Sequence, residues 1–74
     1  MRIEVFLKGK SITVKRTTQT EFPFVIKADG QSCSYIAYDK GRYYLCSRRG
    51  KAIDRRKISP SEVKEIIRET IMAR

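Results

Sequence analysis

Apolar and polar residues alternate through the stretch RIEVFLKGKSITVKR, on both sides of a glycine. A period of two is typical of β-strands, in which successive side chains point to opposite faces. A two-residue turn at residues 9–10, with glycine first, suits this pattern. It pairs Leu7 with Ile12. It also pairs Val5 with Val14, so that one face of the predicted hairpin is wholly aliphatic and fixes the register.

A second group of alternating segments follows a polar stretch, TTQTE, which is predicted to cross between the two groups. The first strand of this group contains Pro23, which has no ladder donor, so we expect it at a sheet edge or only beginning there. The Asp-Gly pair at residues 29–30 indicates a hairpin. A turn at these two residues pairs the flanking apolar positions as Phe22–Ala37, Phe24–Tyr35 and Ile26–Cys33.

The turn in YDKGR, residues 38–42, decides which side chains of the next strand face the core. We interpret it as a three-residue loop with Gly41 in the left-handed conformation. A plain two-residue turn would instead direct Arg48 to the core, where arginine is rarely found. The longer loop, and the same logic at the next turn, give the pairs Tyr35–Leu45, Ala37–Tyr43 and Leu45–Ile53.

Gly50 marks that next turn. A further strand after it makes the segment a meander of three or four strands. In this register the outward face is aromatic and basic, whereas Arg55 points toward the opposite side. Cys33 and Cys46 fall on opposite faces, which excludes a disulfide between them. The outward residues are Val25, Ser34, Ile36, Tyr38, Tyr44, Cys46, Arg48, Asp54 and Arg56, with Lys27 at the edge.

The C-terminal segment has the start signals of a helix. Ser59 is the predicted N-cap, Pro60 suits the first helical position, and Glu62 completes an S-x-x-E capping box. Ile58 and Val63 form the hydrophobic contact that flanks such a start. An apolar stripe at helical spacing, expected to pack on the sheet, comprises Val63, Ile66, Ile67, Thr70 and Ile71.

These patterns predict a single domain, residues 1–74, that is mostly β with one C-terminal helix (α+β). Residues 1–58 form an antiparallel hairpin and meander, as a sheet or small open barrel. Residues 59–73 form the helix packed on it. A chain of 74 residues has room for one domain, and it buries only about 60% of its unfolded surface.

Charge is distributed unevenly along a chain whose net charge is +9. Residues 60–74 carry three acids and three bases, so the whole excess lies before them. Residues 40–57 hold eight cations against one acid. Self-repulsion disfavours such a cluster unless an anion compensates it. The hairpin Arg48–Lys57 holds six of these eight cations. It is therefore either part of a binding surface for a polyanion or a solvated hairpin that keeps the protein soluble.

Nucleic acid suits a basic and aromatic face, because guanidinium groups pair with phosphates while rings stack on bases. We predict a non-enzymatic nucleic-acid-binding protein, monomeric or homodimeric, with DNA favoured over RNA. The alternative is a small viral or plasmid-type module that docks on an acidic surface of a partner protein. The predicted binding residues are Lys27, Tyr38, Lys40, Arg42, Tyr44, Arg48, Arg49, Lys51, Arg56 and Lys57.

Composition disfavours several other classes. The chain has no histidine, so the commonest general base is missing, and no catalytic residue, metal or other cofactor is expected. Cys46, near Arg48, has the setting of a reactive thiol, but no orienting group accompanies it, and we expect both cysteines to be reduced. No apolar run approaches the roughly 20 residues of a membrane helix, and no signal peptide is recognisable. A cytoplasmic or nucleoid-associated location follows, without secretion.

The order of hairpin, meander and C-terminal helix resembles the small basic chromatin proteins of crenarchaea. The stretches that carry the likeness are IEVFLKGKSITVK, SYIAYDKGRYYLCSRRGKAI and ISPSEVKEIIRETI. The resemblance implies an SH3-like barrel, closed by a helix, that coats duplex DNA. This chain departs from those proteins in its arginine-rich basic run and its cysteines. The nearest counterparts of the apolar wedge that they insert between base pairs are Ile36 and Val25.

Two other likenesses are weaker. The segment DRRKISPSEVKEIIRETI resembles the end of coactivator-type single-stranded-DNA-binding proteins, in which a meander leads into a dimerising helix. The segment GRYYLCSRRGK resembles the central hairpin of phage-integrase arm-binding domains. All three resemblances imply DNA on the sheet face, but they share one architecture and are not independent of one another.

Overall fold

The computed structural model describes residues 5–8, 11–14 and 19–73. These residues form two antiparallel sheets and a C-terminal helix, which confirms the predicted fold class. The strands Val5–Lys8 (β1), Ser11–Val14 (β2) and Gln19–Glu21 (β3) make the first sheet, in that order. The second sheet is a meander of Phe24–Asp29 (β4), Ser32–Asp39 (β5), Arg42–Arg49 (β6) and Ala52–Ile58 (β7). The helix α1 spans Pro60–Met72.

The first sheet confirms one prediction and corrects another. The partners in β1 and β2 are Leu7 with Ile12, and Val5 with Val14, as expected; the turn at residues 9–10 lies outside the described residues. The stretch TTQTE is not merely a crossing, because three of its residues form β3 and pair with β2. The polarity of this stretch does not prevent strand formation, because pairing depends on backbone groups and tolerates polar side chains on an outer strand.

The predicted pairing of β4 with β5 is wrong because the turn lies one residue later than expected and β4 contains a bulge. Asp29 pairs with Ser32, so the turn residues are Gly30 and Gln31 rather than 29–30, and Gly30 has a φ of 56°. The register then shifts between Val25 and Lys27. A bulge inserts one unpaired residue and so reverses which side chains share a face. Phe24 therefore pairs with Ile36 instead of Tyr35.

The turn between β5 and β6 has two residues, not three. Asp39 pairs with Arg42, and both central residues adopt left-handed conformations, Lys40 with φ 51° and Gly41 with φ 78°. Two positive φ values are typical of a type I′ turn, whose twist matches that of the flanking strands. The conformation predicted for Gly41 is confirmed, but the loop length is wrong.

These shifts place the strand faces differently from the prediction. Phe24 of β4 and Leu45 of β6 face the helix as expected. The bulge in β4 and the shorter β5–β6 turn each reverse the predicted faces once, and the two reversals cancel between β4 and β6. The faces of β5 and β7 are reversed. Leu45 pairs with Arg56 rather than with Ile53. The residues thereby moved from the predicted outward face to the helix side are Ser34, Ile36, Tyr38, Asp54 and Arg56.

The core lies between the second sheet and α1. Ile36, Val63 and Ile67 are fully buried within it. An aromatic group closes one end, where the ring centroid of Tyr43 lies 5.0 Å from that of Tyr38 and 5.3 Å from that of Phe22. Burial, and secondarily the neighbouring Tyr38, raises the pKa of Tyr43 above its ordinary value, so its hydroxyl stays neutral at physiological pH.

The start of α1 follows the sequence signals closely. The Ser59 hydroxyl accepts a hydrogen bond from the Glu62 backbone N–H at 3.2 Å, and Pro60 is the first helical residue. The carboxylate of Glu62 lies 3.7 Å from the guanidinium of Arg56. Ile58 is buried in the same core cluster as Val63. Hydrogen bonding at the cap and burial on both sides of it therefore fix where the chain turns from β7 into the helix.

Replacement of Ser59 by alanine is expected to lower the free energy of unfolding by about 1 kcal/mol, because the Glu62 N–H loses its partner. Denaturant melts followed by circular dichroism measure the change. Ser61→Ala is the matched control, since Ser61 is an exposed residue inside the first turn and alanine is the better helix former there. Equal midpoints for Ser59→Ala and the wild type would contradict the capping role.

Lys40→Asn is expected to raise the free energy of unfolding by about 1 kcal/mol, because asparagine tolerates the left-handed conformation that strains lysine. Lys51→Asn serves as the control: it removes the same charge from another turn, at a position without positive φ. Chemical melts of both variants make the comparison. Equal stabilisation by the two substitutions would mean that charge, and not backbone conformation, is responsible.

Candidate nucleic-acid interface

The face of the second sheet that points away from α1 is called the open face below. Cross-strand partners in an antiparallel sheet point to the same side, so the strand register identifies its members once Phe24, Ile36 and Leu45 are known to pack against the helix. The open face consists of Val25, Ala28, Cys33, Tyr35, Ala37, Asp39, Arg42, Tyr44, Cys46, Arg48, Ile53, Arg55 and Lys57.

Several residues of the open face are exposed to solvent. Val25 on the first strand of the sheet is 44% exposed, and Ile53 on the last is 58% exposed. The cations on the face are exposed as well, whereas Tyr35 and Tyr44 are half-buried. The outer strands β4 and β7 and the cations of the open face are therefore accessible to a partner.

The open face holds a stacked pair of side chains that bridges β6 and β7. The guanidinium carbon of Arg55 lies 3.8 Å from the centroid of the Tyr44 ring, within cation–π distance. An Nη of Arg55 donates to the Asp39 carboxylate at 3.4 Å. Desolvation alone would lower the pKa of Arg55, but its contacts with Tyr44 and Asp39 outweigh that effect and raise it. Arg55 is thus charged and held in place over the ring.

A second cluster lies beside this pair. Tyr35 and Cys46 are direct cross-strand partners, and Cys33 is the partner of Arg48. Partial burial, followed by the neighbouring Cys46, raises the pKa of Tyr35, although Arg48 opposes the shift. The Tyr35 hydroxyl is therefore neutral at physiological pH and remains a hydrogen-bond donor.

Both cysteines carry free thiols, but they share the open face instead of lying on opposite faces as predicted. Cys33 is half-buried, whereas Cys46 is only 3% exposed and its thiol lies 3.9 Å from the Tyr44 carbonyl oxygen. Burial of Cys46, rather than separation across the sheet, is what distinguishes the two thiols.

The predicted binding residues are distributed over several places. Four of them lie on the open face: Arg42, Tyr44, Arg48 and Lys57. Lys40 and Lys51 are in turns, and Arg49 ends β6 on the helix side. The outward placement of Tyr38 and Arg56 is wrong, since Tyr38 packs in the aromatic group and Arg56 pairs with Glu62. Lys27 borders the C-terminal end of α1 with Glu69 and Ala73.

Sequence reasoning missed Arg55 and Tyr35. The predicted pair Leu45–Ile53 puts Ile53 in the core and therefore puts Arg55 on the helix side. Ile53 and Ile58 lie an odd number of positions apart along one strand, so their side chains point to opposite faces and only one of them can face the core. The burial of Ile58 in the core cluster with Val63 decides between them. Counting back from Ile58 in steps of two places Arg56 on the helix side, and so Arg55 on the open face. Of the two wedge candidates, Ile36 is fully buried and only Val25 is exposed.

The turns at one end of the sheet are joined. The Gly50 N–H donates a hydrogen bond of 3.0 Å to the Gln31 carbonyl oxygen, which links the β6–β7 turn to the β4–β5 turn. Arg48, Arg49 and Lys51 lie at this end. Their backbone positions are therefore fixed relative to the open face.

No family model, curated protein or solved structure matches this chain. Within the described ranges, no group of three or more histidine, cysteine or acidic side chains is placed to hold a metal ion. Nor does that part of the chain contain a helix with the length and apolar character needed to span a membrane. The open face is accordingly interpreted from its own chemistry.

The two thiols are expected to react in order, with Cys33 modified first in the folded protein and Cys46 modified only when the chain unfolds, because burial shields its sulfur. Mass spectrometry of protein treated briefly with an alkylating reagent, with and without denaturant, measures both rates. Equal labelling of the two cysteines in the folded state would contradict the burial of Cys46. A mass two daltons below that of the dithiol form, indicating a disulfide, would contradict the free thiols.

Proposed function

We propose that this protein binds nucleic acid, with DNA as the first ligand to test, and that it does so non-enzymatically through the open face. The observation that carries the proposal is the asymmetry of charge between the two faces of the second sheet. Among the charged residues of β4–β7, the open face has four cations and one acid, whereas the helix side has three cations and two acids. The excess charge is concentrated where the sheet is accessible.

The chemistry of these cations supports an anionic ligand with a repeating backbone. Three of the four are arginines, whose planar forks match phosphate oxygens in pairs. Arg42 and Arg48 stand at opposite ends of β6, about 20 Å apart at the rise of an extended strand. A single small anion cannot bridge that distance, but successive phosphates of one strand can.

The aromatic groups supply the second kind of contact. Tyr44 and Tyr35 lie between these cations on the open face. Rings beside guanidinium groups bind nucleic acid with little sequence preference, because every base offers a π-face and every nucleotide a phosphate. The proposed activity is thus coating or protection of nucleic acid, without reading of a particular sequence.

Arg55→Ala and Arg56→Ala make a matched pair that tests this proposal. Each removes one positive charge from β7, and each loses a partner carboxylate, at 3.4 Å for Arg55 and 3.7 Å for Arg56. Arg55→Ala is expected to weaken binding by about 1.5 kcal/mol or more and to reduce the salt slope by about one counterion. Arg56→Ala is expected to leave both unchanged, because its side chain is on the helix side.

Fluorescence anisotropy of labelled random-sequence DNA over a series of salt concentrations provides both quantities. Equal effects of the two substitutions would mean that net charge matters and the face does not. If the wild type bound no nucleic acid at physiological salt, the proposal would be wrong. Docking on an acidic protein surface would then be the better account of the same charges.

A further inference from the structure

We infer that the ligand of the open face is single-stranded DNA, and that an unpaired base stacks on the pair formed by Tyr44 and Arg55. This inference rests on the proposed function and adds the form of the nucleic acid and the place where a base is held.

The stacked pair is a platform that is already assembled. Arg55 lies over Tyr44 at 3.8 Å, which is about van der Waals contact, so a planar cation covers the ring. The Arg55 side chain is 48% exposed. A planar partner approaching from outside therefore meets a flat guanidinium group supported from beneath by an aromatic ring. Guanidinium planes and aromatic rings are the surfaces on which proteins stack unpaired bases.

Asp39 positions this platform. Its carboxylate accepts a hydrogen bond from Arg55 at 3.4 Å, from a site on β5 beside the turn to β6. Arg55 is thus restrained from two sides before any ligand arrives. Preorganisation of this kind reduces the side-chain ordering that binding would otherwise require. Asp39 is the one acid among the cations of the open face, and it has the role of restraining Arg55, although it opposes the phosphate charge.

The shape of the open face favours a single strand over a duplex. A π-face is available only on an unpaired base, since duplex bases are stacked on one another and present their edges in the grooves. Four strands spaced by about 4.8 Å span roughly 14 Å between the outer backbones, before side chains are counted. The major groove of B-DNA is about 12 Å wide and admits a two-stranded ribbon or one helix. A sheet of four strands lies on a nucleic acid strand rather than in that groove.

Charges on both sides of the platform suit the phosphates that flank a stacked base. Lys57 is the cross-strand partner of Tyr44, and Arg42 and Arg48 lie two and four residues from it along β6. Phosphates on either side of the base therefore have cationic partners without leaving the open face. Single-stranded RNA offers equivalent bases and phosphates. Tighter binding of an RNA probe of equal length than of the DNA probe would therefore overturn the choice of DNA.

The experiment compares three labelled probes of about twelve nucleotides, within the site size usual for small single-strand binders. They are oligo(dT), an abasic oligonucleotide with the same phosphates, and a duplex of the same length. Wild-type protein is expected to bind oligo(dT) at least about fivefold more tightly than the abasic probe, the lower end of the range for one stacked base. It is also expected to bind oligo(dT) more tightly than the duplex.

Arg55→Lys is the decisive variant, because it keeps the charge and the ion pair with Asp39 but removes the planar group. It is expected to bring the affinity for oligo(dT) close to that for the abasic probe, while affinity for the abasic probe stays the same. Arg56→Lys is the control and is expected to change neither. Asp39→Asn should tighten abasic binding, by removing a negative charge, and yet reduce the preference for oligo(dT).

The outcomes separate this inference from the proposed function. If all three probes bound equally with the same salt dependence, the proposed function would stand and the stacking inference would be wrong. Unchanged preference for oligo(dT) in Arg55→Lys would also overturn it, as would tighter binding of the duplex. If none of the probes bound, both would fail together.

Discussion

The burial of Ile36 against Val63 and Ile67 is the contact on which the rest of the structure depends. These three side chains are fully buried where β5 meets the helix. Side chains alternate along a strand, so fixing Ile36 on the helix side also fixes the side of every residue of β5. Pairing then transmits this choice to β6 and from there to β7. One aliphatic contact thus determines that Arg55 faces outward and Arg56 inward.

Backbone irregularities make that contact compatible with the neighbouring strands. The bulge between Val25 and Lys27 lets Phe24 join Ile36 on the helix side. Lys40 accepts a left-handed conformation so that β6 can follow β5 through a two-residue turn. The bulge loses a ladder hydrogen bond, and the left-handed lysine adds local strain. Burial of the apolar surface that they bring together offsets both costs in free energy. The strand register that places these apolar side chains against the helix also determines which side chains lie on the open face.

The sequence was informative where the signal is local. The strand pairing of the first hairpin, the cap at Ser59 and the apolar stripe of α1 each depend on a few neighbouring residues, and each was predicted correctly. The faces of β5 and β7 were not, because a bulge leaves no mark in composition and because Lys40 is an unusual residue for a left-handed position. The basic character of the meander was evident from charge alone. Which arginine contacts the ligand depends on which side of its strand it occupies. That side is decided by contacts with the helix, which is distant in sequence.

The strand β7 forms an outer edge of the second sheet, and along it three cations follow one another, Arg55, Arg56 and Lys57. An outer strand presents unpaired backbone groups that can recruit another strand, and like charges are one of the means by which proteins prevent this. Two copies of β7 brought side by side would place cation against cation. The charge that suits the sheet to a polyanion therefore also opposes edge-to-edge association of two copies. Salt screens this repulsion, so self-association of the free protein should increase with ionic strength.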